Sequence, residues 1–197
     1  MQRIVCRLAA ALPLALIPAL ASAHPGHEGA ADFTHGFMHP LGGIDHILAM
    51  VAVGLLAAKL GGRALWFVPA SFVLTMAAAG LAGMAGMVLG QAEVGIALSV
   101  LVLGALVAFG PTLPVAVVTA LVGFFAVFHG YAHGAEMPES ASGLAYGAGF
   151  VAATALLHGL GIALGLTFGR TGETRLALRL GGTATMLAGA VLLIAAI

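Results

Sequence analysis

The sequence has few charged residues and only one cysteine. Charged residues make up 7% of the 197 residues, hydrophobic residues make up 61%, and the mean hydropathy is +1.13. A soluble domain usually carries about a quarter of its residues as charged side chains, so this composition excludes an ordinary soluble domain. The net charge of zero gives no electrostatic basis for nucleic-acid binding.

The single cysteine, Cys6, lies in a segment with the features of a secretory signal peptide. Arg3 and Arg7 form a basic start, an apolar stretch runs from residue 8 to residue 20, and Ala21-Ser22-Ala23 is a small-residue cleavage signal. We therefore predict that residues 1–23 are removed, the alternative being an additional uncleaved helix. Cleavage would remove the cysteine and, with it, any disulfide or thiolate metal site.

Long apolar runs fill the rest of the chain. A run of about 20 apolar residues crosses the hydrocarbon core as a helix, and these runs do not alternate as barrel strands would. We predict an all-α, polytopic membrane domain over residues 24–197, folded as a bundle of six transmembrane helices. The predicted spans are 40–60, 64–88, 92–109, 113–131, 144–168 and 176–197.

The basic residues predict how this bundle is oriented. If the signal peptide delivers the start of the processed chain outside, every basic residue beyond it falls on inside segments: Lys59, Arg63, Arg170, Arg175 and Arg179. Basic residues concentrate on the cytoplasmic side of membrane proteins. The sequence therefore predicts a multi-pass protein of the bacterial inner membrane, with both processed termini in the periplasm.

A first cluster of ionisable residues comprises His39, Asp45 and His46 at the start of span one. Pro40 suits the first turn of a helix, and two histidines seven residues apart lie on one helix face. Asp45 would be about five residues into the span and would point away from His46. It could orient a ligand histidine by a hydrogen bond or bind metal itself. The alternative is an interfacial pair of histidines with a helix-capping aspartate.

A second cluster comprises His129, His133 and Glu136 near the end of span four. Their spacing of i, i+4 and i+7 places them on one helix face if the helix continues that far. The predicted topology brings both clusters to the outer membrane face, where we expect one composite site. Such ligands suit divalent nickel, cobalt or zinc. The alternative for this cluster is a polar helix end at the interface.

Three further histidines are candidates of other kinds. His158 lies about 14 residues into span five, or about 21 Å deep, where it is an exit-side ligand, a proton acceptor or a donor to a backbone carbonyl. His24 and His27 follow the cleavage site and could capture metal weakly, or belong to a plain polar leader.

Two segments resemble a known family. The segment 39–46, a histidine followed after five residues by Asp-His, resembles the signature of the HupE/UreJ family of nickel permeases. The segment 128–136 resembles the family's second motif. The resemblance implies secondary uptake of nickel, sometimes cobalt, and the choice of nickel rests mainly on it. By resemblance, the transport role falls on His39, Asp45, His46, His129, His133 and Glu136.

We therefore predict a permease that imports nickel from the periplasm, with nickel as its substrate and no resident cofactor. The sequence has no phosphate-binding Gly-Lys-Ser/Thr loop, so we do not expect an ATP-hydrolysing enzyme. Besides the metal ion, the predicted partner of the permease is the lipid bilayer, and oligomers of the permease are possible. The alternatives are a carrier of cobalt or zinc, a metal-sensing accessory protein without flux, and a haem-binding electron carrier using His46, His129 and His158.

Overall fold

The computed structural model describes residues 28–110, 113–137, 142–169 and 172–197, and the regular structure within these ranges is α-helical. The predicted signal peptide, His24 and His27 lie outside the described residues. The helices are α1 (Glu28–Gly42), α2 (Ile44–Leu60), α3 (Ala64–Met84), α4 (Ala92–Phe109), α5 (Val115–Ala135), α6 (Gly143–Phe168) and α7 (Gly172–Ala196).

Five of these helices, α3 to α7, are long and apolar enough to cross a membrane. The pair α1 and α2 passes the same criterion together, with a bend of 83° between its two parts, and gives a sixth span if the pair crosses as one. Helix α4 occupies the range predicted for span three. Helix α3 ends four residues earlier than its predicted span, and α5 continues four residues further, to Ala135.

The first predicted span has a different structure from the one expected. Pro40 lies inside α1, near its end, and the chain turns at Gly43, whose φ of −102° and ψ of 121° are extended. The adjacent glycines at 42 and 43 favour this break because glycine is a poor helix former. The expectation of one helix starting at Pro40 is therefore wrong. His39 and His46 lie on different helices, and Asp45 lies in the first turn of α2.

Helix α2 is the centre of the bundle and packs against each of the other described helices. Its closest neighbour is α6, where the Cα of Gly54 would lie 2.9 Å from a Cβ built on Gly161. Small residues at such crossings let helix backbones approach closely. Buried apolar side chains such as Val53, Phe72 and Val100 fill the space around α2. This packing fixes the first turn of α2 against α5 and α1.

Candidate metal site

The first turn of α2 positions Asp45 and His46 together. Asp45 Oδ1 accepts a hydrogen bond from the backbone N–H of His46 at 2.8 Å and lies 2.8 Å from its Nδ1. An ionised carboxylate only accepts hydrogen bonds, so Nδ1 carries the proton and the lone pair of Nε2 accepts a hydrogen bond from Nε2–H of His133. The prediction that the two side chains point apart is wrong, because the helix starts at residue 44 and its N-terminus favours a carboxylate there.

Two buried histidines of α5 complete the centre of the site. The Nε2 atom of His133 lies 2.5 Å from Nε2 of His46, and the ring centroid of His129 lies 4.9 Å from that of His46. Helix α5 continues to Ala135, so His129 and His133 stay one turn apart on one face. The structure thus brings the two predicted clusters together, while their role as metal ligands stays a prediction.

Ser99 of α4 orients His129, and the sequence did not single it out. The Ser99 hydroxyl donates to the carbonyl oxygen of Ile96 at 2.7 Å and lies 2.8 Å from Nε2 of His129. A hydroxyl has one hydrogen, so His129 is the donor through Nε2–H. Its Nδ1 then has a lone pair, and this atom is buried without a described hydrogen-bond partner. A lone serine inside an apolar helix was the available signal.

The outer edge of the site is more exposed. His39 Nε2, from α1, lies 3.7 Å from Glu136 Oε2, and the two side chains are 37% and 54% exposed. Ligand atoms of His39, His133 and Glu136 all lie within 4.8 Å of one another. Ligand atoms that bind one ion lie closer together than this, because their bonds to a zinc-like ion are about 2.0–2.2 Å long. A small inward movement of these three side chains would therefore complete a three-ligand site. His133 therefore borders both the exposed and the buried group.

A cavity of about 630 Å³ opens onto these residues. Three carboxylates line it, those of Asp45, Glu93 and Glu136, and no lysine or arginine is found among its described lining residues. A cleft lined by one sign of charge raises the local concentration of the opposite ion, which here is a cation. Glu93 was not a predicted site residue, although an acid at the start of an apolar helix is itself a signal. His35 and Tyr146 also line the cavity.

His158 lies apart from this cluster. It is 2% exposed, and neither of its ring nitrogens has a hydrogen-bond partner among the described residues. The ring centroid of Phe72 lies 5.1 Å from that of His158 and 5.5 Å from that of His129. The Phe72 side chain thus lies close to both histidines. Among the described residues no backbone carbonyl accepts a hydrogen bond from His158, which one alternative required.

Comparison with known proteins gives one consistent relationship. The family model described as HupE / UreJ protein matches residues 12–192. Protein HupE of Rhizobium leguminosarum bv. viciae is 47% identical over 179 residues, which cover 90% of this chain and 92% of that protein. No solved structure matches significantly. The similarity therefore spans both histidine clusters and nearly all of the described helices.

Proposed function

Because this chain belongs to the HupE/UreJ family, we propose that it is a membrane transporter of a divalent transition metal, with nickel as the first candidate and cobalt and zinc next. The observation that carries the proposal is the approach of His46 and His133, from two different helices, within a cavity lined by carboxylates. Imidazole suits borderline divalent ions. The metal is the cargo and not a resident cofactor.

The order of burial supports a stepwise route for the ion. His39 and Glu136 are partly exposed and form the entrance, where the carboxylates neutralise the charge of the arriving ion. His133 is 5% exposed and can bind the ion while it exchanges its outer ligands for His46. Each exchange replaces one protein ligand by another, so the ion is never left without partners in a low-dielectric interior.

The inner part of the route passes Phe72. The rings of His129 and His158 both lie near the Phe72 ring. Nδ1 of His129 and both ring nitrogens of His158 have no hydrogen-bond partner among the described residues. A buried ionisable or polar group without a hydrogen-bond partner is costly, and inside a membrane bundle such groups mark ion routes. We assign His158 the role of the inner ligand, reached when the Phe72 side chain moves.

The proposed direction is from periplasm to cytoplasm, with the histidine site facing outward in a bacterial inner membrane. The distribution of basic residues supports this orientation. Alkaline phosphatase fused after Glu136 should be active, and the same enzyme fused after Arg175 should be inactive. The reverse pattern would place the histidine site at the cytoplasmic face and reverse the direction.

Flux through the purified protein is the direct test. Full-length protein in liposomes should accumulate labelled Ni²⁺ down a metal gradient, with Co²⁺ and Zn²⁺ as competitors. His46→Ala should reduce this flux to the level of empty liposomes. Metal binding without flux would instead support a metal-sensing protein, which was one of the alternatives.

The geometry does not favour the haem alternative. The ring of His46 contacts the rings of His129 and His133 directly, with centroids 4.9 and 4.4 Å apart. Two axial histidines must stand on opposite faces of a porphyrin, and these contacts leave no slot for that plane between His46 and His129. A Soret band in the purified protein would nevertheless establish haem binding and remove the transport proposal's main support.

A further inference from the structure

A second cavity lies at the opposite end of the bundle from the histidines. It has a volume of about 500 Å³ and is bordered by α2, α4, α6 and α7. Helix α2 carries His46 in its first turn and Lys59 in its last, so about 20 Å separates the two along its axis. This basic cavity therefore takes no part in the proposed metal site.

Three cations converge on the basic cavity: Lys59 from α2, and Arg175 and Arg179 from α7. The charges of Lys59 and Arg179 repel each other. Among the described side chains no carboxylate lines the cavity, and none of the three cations forms an ion pair with a described carboxylate. The cavity thus holds positive charge that no described carboxylate neutralises.

The preference of basic residues for one membrane side does not by itself explain this convergence. Arg63 lies near the same end of α2, at the start of α3, but it does not line the cavity. Its guanidinium carbon lies 4.9 Å from the centroid of the Phe67 ring, a cation–π contact that gives it a partner within the protein. The preference of basic residues for one side of the membrane explains the position of Arg63. The other three cations, in contrast, share a space that can hold an anion.

The walls of the basic cavity are apolar. Leu55, Val107, Leu166 and Leu178 line it, and Gly110, Gly165 and Gly169 at or near helix ends leave room between the helices. Arginine binds phosphate through parallel hydrogen bonds and lysine binds it as a point charge. Basic pockets between transmembrane helices bind the headgroups of anionic lipids. An apolar wall beside three cations matches a ligand with a phosphate group and an acyl chain.

We propose that the basic cavity binds a phosphate group between Lys59, Arg175 and Arg179, supplied by the headgroup of an anionic phospholipid. Free inorganic phosphate has the same charged group but lacks the acyl chain that the leucine and valine walls would cover. This inference does not rest on metal transport, because none of its residues lies near the histidines.

Native mass spectrometry of the full-length protein in detergent tests the proposal. Phosphatidylglycerol, phosphatidylcholine and inorganic phosphate are added separately to the wild type and to Lys59→Gln, Arg179→Gln and the matched control Arg63→Gln. We expect one retained phosphatidylglycerol on the wild type and on Arg63→Gln, and about fivefold weaker retention for each cavity variant. Phosphatidylcholine should not be retained, because its headgroup has no net charge.

The other outcomes distinguish a lipid site, a free-phosphate site and no site. Equal retention of phosphatidylglycerol by all four proteins would overturn the proposal, since the lipid would then bind elsewhere on the apolar surface. Retention of inorganic phosphate, but not of the lipid, with the same dependence on Lys59 and Arg179 would keep the anion site and reject the lipid as its source. Lys59→Arg keeps the charge and should keep the lipid, which separates loss of charge from misfolding.

Discussion

His46 and His133 are 87 residues apart in the chain, yet their Nε2 atoms lie 2.5 Å apart where α2 begins and α5 ends. Asp45 holds the other nitrogen of His46, so the lone pair that faces His133 is the one that remains for a metal ion. The first turn of α2, with Asp45, and the end of α5 thus bring His46 and His133 together as two converging ligands. The predictions below follow from this arrangement.

Replacing Asp45 should weaken metal binding strongly, because the carboxylate both orients His46 and offsets the charge of the ion. For Asp45→Asn we expect the dissociation constant for Ni²⁺ to rise about 10- to 100-fold, as for other residues that orient metal ligands. Asp32→Asn is the matched control. Asp32 accepts a hydrogen bond from the backbone of Ser142 at 2.7 Å, and an asparagine oxygen can accept it equally. Similar affinities for the two variants would show that Asp45 has no special role.

Replacing His158 should separate transport from binding. In His158→Ala, liposome uptake of Ni²⁺ should slow, while the affinity measured at the outer histidines should stay that of the wild type. The reason is that, among the described residues, His158 has a ring contact with Phe72 and none with the outer histidines. Uptake at the wild-type rate by a folded His158→Ala protein would show that this histidine is only part of the packing.

Two glycines of α6 test the packing that positions the site. A Cβ at Gly161 would press on the backbone of α2 at Val51 and Gly54, whereas one at Gly159 would meet nothing within 4 Å. Gly161→Ala should therefore destabilise the protein by about 1–3 kcal/mol, as overpacking usually does. Gly159→Ala should be neutral or stabilising by up to about 1 kcal/mol, because alanine is the better helix former. Thermal unfolding in detergent measures both, and equal midpoints would contradict the close approach of α2 and α6.

The sequence predicted the helical class and the range of α4 because an unbroken apolar run reports a long helix directly. It did not predict the bend at Gly43, since the mean hydropathy of residues 40–60 predicts one span and does not register a break at two glycines. The same error made the predicted position of Asp45 wrong, because Asp45 lies in the first turn of α2 and not five residues into a span.

The sequence predicted the meeting of the two histidine clusters from topology, because helices that run in opposite directions bring one start and one end to the same face. It could not identify Ser99, whose role depends on α4 lying beside α5, a neighbour relationship that spacing does not encode. Glu93 joins the cavity for the same reason.

The central claim is that His46 and His133 bind the same ion. Isothermal titration of Ni²⁺ into purified wild type, His46→Ala, His133→Ala and the double variant measures it directly. If the two residues share one ion, either single change should remove the same binding event, and the double variant should be no weaker than the singles. Independent losses of affinity that add in the double variant would show that the two histidines serve separate sites, and would contradict the claim.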